Sequence, residues 1–190
     1  MTTVSIFALI TITAAIAGGS DDDKDRRSAE VHVHGEATLA AAMDDATLSV
    51  ELQSALWNLV GFERKPETEA ERAALEAARE ALRSGRLFEI DRRGRCSLVA
   101  AEPGVPDPYR DNDHDHEDDE AHDDHDHGAY SDVVARWTFS CGRPAAVRTI
   151  AVSFAAPFER LEAVEIVFLG DGVQAAGRLT PEAPALRIAR

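Results

Sequence analysis

One stretch of this chain has no means of entering a hydrophobic core. From Asp111 to His127 it reads DNDHDHEDDEAHDDHDH, with Ala121 as its single apolar residue. It carries ten carboxylates and no Lys or Arg. Unpaired ionised carboxylates are too costly to bury, so the run must stay in water. Such a composition does not offset the entropy of its own ordering, and residues 111–128 are expected to be a disordered insertion. The folded part must then come from the segments on either side, packed together across it.

The same run holds five of the chain's seven histidines: His114, His116, His122, His125 and His127. Solvation alone needs no imidazole, because Asp and Glu already suffice. His interleaved with Asp makes a multidentate trap for first-row divalent cations, Zn²⁺ foremost. A merely solvated acidic loop is the plainer alternative. Net charge is −15, of which the run supplies −10. No basic patch suited to nucleic acid is visible, and an anionic membrane surface would repel the chain. Cations are the natural partners. Only neutral imidazole binds metal, so uptake should be good at neutral pH, with metal shed as pH falls toward about 5.

The N-terminus has the features of an export signal. Val4 to Ala17 is a continuous stretch of apolar, Thr and Ser residues, too short to span a bilayer comfortably. Ala15-Ile16-Ala17 is a small-x-small cleavage site, although no Lys or Arg precedes the apolar stretch. Residues 1–17 are expected to be a cleaved signal peptide and 18–29 a flexible tether, with no membrane insertion of the mature chain. Cys96 and Cys141 are the two cysteines. In an exported chain an even count argues for a disulfide, here closing a loop of about 46 residues worth on the order of 4 kcal/mol. A Cys-ligated zinc site is the rival, weakened by the lack of CxxC spacing.

Residues 30–190 are expected to form one α+β domain, mostly antiparallel sheet, interrupted by the insertion. Glu30 to Gln53 alternates apolar and polar around Asp44-Asp45, the pattern of a hairpin. Leu56 to Phe62 is apolar and ends in a Gly-containing bend. Glu67 to Ser84 is the one clear helix, with Thr68 and Glu71 as a capping box and Ala74, Leu75, Ala78, Ala81 and Leu82 as its apolar stripe. Leu87–Ile90, Cys96–Ala101, Val133–Ser140, Val147–Phe154, Ala163–Leu169 and Gln174–Leu179 are strand-like. Asp171-Gly172 is a hairpin turn signal. Trp57 and Trp137 are expected in the core.

A second candidate metal site is His32-Val33-His34-Gly35-Glu36. On a strand, residues i and i+2 share a face, so His32, His34 and Glu36 would point the same way. A closed zinc site needs four ligands, so the His/Asp loop or water must supply the rest. Surface histidines on a frayed first strand are the alternative. HExxH, GxSxG and P-loop motifs are absent from the sequence, and no enzyme activity is expected.

The segment HVHGEATLAAAMDDATLSVELQSALWNLVGFE resembles the opening of the ZrgA-like periplasmic zinc-uptake proteins, which accompany zinc ABC transporters. The similarity runs on through Asn58-Leu59-Val60-Gly61-Phe62-Glu63, the helix, the surroundings of Cys96 and Cys141, and Phe158-Glu159-Arg160-Leu161-Glu162. The resemblance implies periplasmic zinc binding and delivery toward a transporter or its binding protein. It matches His32 and His34 to the family's HxHG motif, Cys96 and Cys141 to its paired cysteines, and the loop histidines in kind only. One departure stands out: family members usually read Phe-Glu-His-Ala-Pro where this chain reads Phe62-Glu63-Arg64-Lys65-Pro66. A guanidinium does not ligate metal, so Glu63 or a loop histidine must substitute if that histidine is a ligand. The expected function is zinc capture assisting uptake. The alternative is a periplasmic buffer for Zn, Cu or Ni that hands nothing on.

Overall fold

In the computed structural model the described residues are 33–109, 131–154, 157–170 and 172–189. The signal peptide, the tether, His32 and the His/Asp-rich run lie outside them. The expected hairpin forms from β1 (Glu36–Asp44) and β2 (Thr47–Ala55). Asp44 faces Thr47 across its turn. Alternation decides which side is buried. Leu39, Ala41 and Met43 face inward with Leu48, Val50 and Leu52, while their neighbours face out.

Two helices follow. Leu56–Val60 makes a single helical segment, α1, and Gly61 ends it in the left-handed conformation (φ 88°). The expected long helix is α2 (Glu69–Arg83). Its Thr68 hydroxyl accepts from the Glu71 amide, and the Glu71 carboxylate accepts from the Thr68 amide, completing the capping box. Leu75, Ala78 and Leu82 of the stripe are buried. The indole N–H of Trp137 donates to the Leu82 carbonyl at 2.6 Å, tying the helix to the sheet.

The strands that follow are β3 (Phe88–Ile90), β4 (Cys96–Glu102), β5 (Asp132–Cys141), β6 (Thr149–Val152), β7 (Ala163–Gly170), β8 (Val173–Leu179) and β9 (Ala185–Arg187). With β1 and β2, four of them form a six-stranded sheet in the order β4-β5-β2-β1-β7-β8, and β3-β6-β9 form a second, three-stranded sheet. Strand β9 follows directly on Pro184 and is too short for its alternation to show in the sequence. Cys96 and Cys141 face each other across β4 and β5 and are joined by a disulfide, which excludes the Cys-ligated alternative. The inner face of the large sheet, α2 and the small sheet share one apolar core containing Trp137, Phe158 and Phe168.

The sheet is mostly antiparallel, as expected, with one exception. Strand β7 pairs with β1 in parallel, Glu36 opposite Ala163 through Ala42 opposite Leu169, so the sheet is mixed. The chain returns from the small sheet to the same end of the molecule at which β1 begins. The first residues of β1 and β7 therefore lie side by side, as do the segments that precede them.

Candidate metal centre

Those preceding segments carry the candidate chemistry. His34 is not on a strand. Val33, His34 and Gly35 form a turn, and β1 starts only at Glu36. The reason is Gly35, whose φ of +87° breaks the extended backbone. The Glu36 amide closes the turn on the Val33 carbonyl at 3.2 Å. The Gly35 carbonyl accepts from the amides of Glu162 and Ala163, at 2.8 and 3.0 Å. The turn is thus stitched to the start of β7 by the parallel pairing.

Asn58 holds the turn from the other side. It is completely buried, and its carboxamide oxygen accepts the Gly35 amide at 2.7 Å. Its NH₂ group donates to the Glu36 carbonyl at 2.8 Å and to the Ser54 hydroxyl at 3.1 Å. A longer contact of 3.4 Å reaches the Val33 carbonyl. A buried amide with its oxygen and both hydrogens engaged is an internal brace.

The His34 ring is displayed outward from this frame. It stacks on Trp57 with 4.3 Å between centroids and 13° between planes. Trp57 is therefore not a core residue as expected; it is half-buried and forms the floor beneath the imidazole. The Arg160 guanidinium also lies over the indole, 5.7 Å from its centroid. Gly61 makes room for it, since a Cβ there would sit 2.8 Å from the guanidinium carbon. The Glu162 carboxylate packs above Gly35, its Cδ 3.5 Å from where a Cβ would be.

Glu63 completes the exposed pair. Its Oε1 lies 3.4 Å from His34 Nε2. That is longer than most N–H···O hydrogen bonds. Zinc bound to an imidazole nitrogen and a carboxylate oxygen at tetrahedral angle holds those two atoms about 3.4 Å apart. The separation fits a weak hydrogen bond between the two side chains and equally the spacing of two ligands on one such ion. Arg64, the departure from the family pattern, points elsewhere. Its guanidinium grips the Glu71 carboxylate at 2.5 and 3.3 Å, at the N-terminus of α2. Adjacent residues of the segment thus have separate tasks, Glu63 facing His34 and Arg64 anchoring to the helix.

Glu36 is engaged away from this pair. Its carboxylate accepts from Arg178 at 2.7 Å, and Arg178 also bonds Glu165 at 2.8 Å. The Arg178 hydrogen bond holds the Glu36 carboxyl below the usual carboxylate range. Among the described residues, no three His, Cys, Asp or Glu side chains gather into a metal-holding group. His32 and the five loop histidines lie outside those residues. Among the described residues, His34 and Glu63 are the candidate ligand pair that the fold brings together.

Three short motifs meet here: HVHGE, WNLVGFE and FERLE. A sequence model described as ZrgA family zinc uptake protein matches residues 31–188. The chain belongs to this family. The match spans both sheets, both helices, His34 and Glu63. No curated protein matches the chain. Membership in the ZrgA family gives the protein a zinc-related role. Sequence reading named His34 and Glu63 but missed Trp57, Asn58, Arg160 and Glu162 as parts of the same site. The available signal was their position inside the short segments that carry the family resemblance.

Proposed function

We propose that this ZrgA-family protein is exported to the periplasm, captures Zn²⁺ there, and passes it toward a zinc transporter. It acts by binding, with no catalytic step. His34 and Glu63 form the fixed half of the site, and His32 with histidines of the acidic run supplies further ligands. The observation that carries the reading is the 3.4 Å spacing of His34 Nε2 and Glu63 Oε1, on a turn that Asn58 and β7 hold rigid. Open ligand positions suit a protein that must release its cargo, whereas a closed four-ligand site would retain it. Among the described residues, no helix is long and apolar enough to cross a membrane.

The acidic run raises the local metal concentration beside the fixed site. Its far end re-enters the fold at Ser131, whose carbonyl accepts the Leu56 amide at 2.8 Å, one residue from Trp57. His127 is four residues from that anchor, a reach of at most about 14 Å. His125, His122, His116 and His114 follow at growing distance along the chain.

The test is a Zn²⁺ titration at pH 7 against a competing chelator. It compares the protein with a His34→Ala/Glu63→Gln variant and with a deletion of residues 111–127. The proposal expects one tight site that survives the deletion and is lost in the double variant. Complete loss of binding on deletion would favour the buffering reading, in which the run alone sequesters Zn, Cu or Ni.

A further inference from the structure

We infer that Asn58 is the positioning residue of the metal half-site, setting the aim of the His34 imidazole without touching metal. The inference rests on His34 being a zinc ligand. The geometry that carries it is unusually one-sided. Asn58 sits on α1, yet three of its four side-chain hydrogen bonds go to one turn, residues 33–36, more than twenty positions away in the chain. The fourth goes to Ser54 at the end of β2, which in turn donates to the Ala55 carbonyl. Each of the three bonds to the turn reaches backbone rather than a side chain. Asn58 therefore fixes where the Cα of His34 lies and in which direction its side chain leaves.

The neighbouring residue Trp57 fixes the remaining freedom, because the ring of His34 lies flat on its indole. Consecutive residues of one short helix thus set the backbone and the ring plane of the same ligand. Asparagine is suited to this place. The turn offers an N–H and a C=O side by side, and a carboxamide accepts and donates through two separate atoms without bringing a charge inside. An aspartate would still accept from Gly35 but would set a carboxylate against the Glu36 carbonyl. A leucine would leave both backbone groups buried and unpaired.

The prediction follows the behaviour of residues that orient metal ligands, whose loss lowers affinity by about 10–100-fold. The experiment uses the full chain with Zn²⁺ alone as probe. It compares Asn58→Leu, Asn58→Asp, His34→Ala and Leu82→Ala by chelator competition, thermal unfolding and NMR of the His34 ring protons. Leu82 is buried on α2 and serves as a control for loss of core stability. Both Asn58 variants are expected to weaken the tight site, Leu more than Asp. Both should also move the His34 protons out of the ring-current shift that Trp57 imposes. Leu82→Ala should lower the unfolding temperature and change neither readout. Should Asn58→Leu fail to fold, Asn58→Asp carries the same test. A folded Asn58 variant with unchanged His34 shifts and unchanged affinity overturns the inference. If His34→Ala leaves the tight site intact, the ligand reading falls instead, and the ring shifts alone still decide whether Asn58 aims the turn.

Discussion

Breaking the Cys96–Cys141 disulfide tests whether the protein depends on a cross-link that spans its acidic insertion. The two cysteines are 45 residues apart in sequence and directly opposite on β4 and β5. In the chain-entropy model, removing a cross-link of that spacing restores unfolded-state freedom worth about 4 kcal/mol at 25 °C. For a chain of this size each kcal/mol moves the thermal midpoint by about 2–4 °C, so the expected drop is roughly 8–16 °C. The variant is Cys96→Ser with Cys141→Ala, since Cys141 is buried and a hydroxyl there would lack a partner. Urea unfolding supplies the free energy and calorimetry the midpoint. A second arm separates entropy from packing. Deleting residues 111–127 shortens the sequence separation of 45 by 17, and should reduce the disulfide's contribution by only about 0.4 kcal/mol. A loss below about 1 kcal/mol on breaking the bridge would refute the reasoning. It would mean that the unfolded chain is not appreciably constrained by the link.

Acid should weaken the anchor of the Glu63 segment. The Arg64 guanidinium first, then the amides of Glu67 and Thr68, hold the Glu71 carboxyl at about 2, and Arg93 does the same for Asp91. Both values are depressed, so their stabilisation is intact above the unfolded values near 4.5 and 3.8 and is lost as pH falls toward 2. Urea midpoints measured from pH 6 to 2 should fall along that window, and Glu71→Gln should flatten the fall; an unaltered profile would contradict the assignment. Gly61→Ala should cost about 1–2 kcal/mol for left-handed backbone alone. It should also push Arg160 off Trp57, visible as a change in indole fluorescence that the more remote Gly172→Ala does not produce.

Local order was largely legible in the chain. The alternation of Leu48, Val50 and Leu52, the Thr68–Glu71 capping box and the stripe of Leu75, Ala78 and Leu82 depend on neighbours within a few residues, and each forms as its pattern requires. The paired cysteines and the family motifs were equally visible. Trp57 was misread because an apolar aromatic in an apolar run has the same composition whether it fills a core or floors a site. His34 was placed on a strand because its HxH spacing suits one. The bond between Asn58 and Gly35, which breaks that strand, joins residues 23 positions apart.

Sequence by itself determined the charge and the histidine and carboxylate content of residues 111–127, which lie outside the described residues, and where most strands and the long helix run. Those outcomes follow from charge, solvation and short-range periodicity, all of which are local. Only the tertiary structure decided that His34, Trp57, Asn58, Glu63, Arg160 and Glu162 belong together. Their meeting depends on the parallel pairing of β1 with β7, which brings residue 36 opposite residue 163. Such a contact is selected by how two sheets and a helix bury one core, and no window of neighbouring residues encodes it.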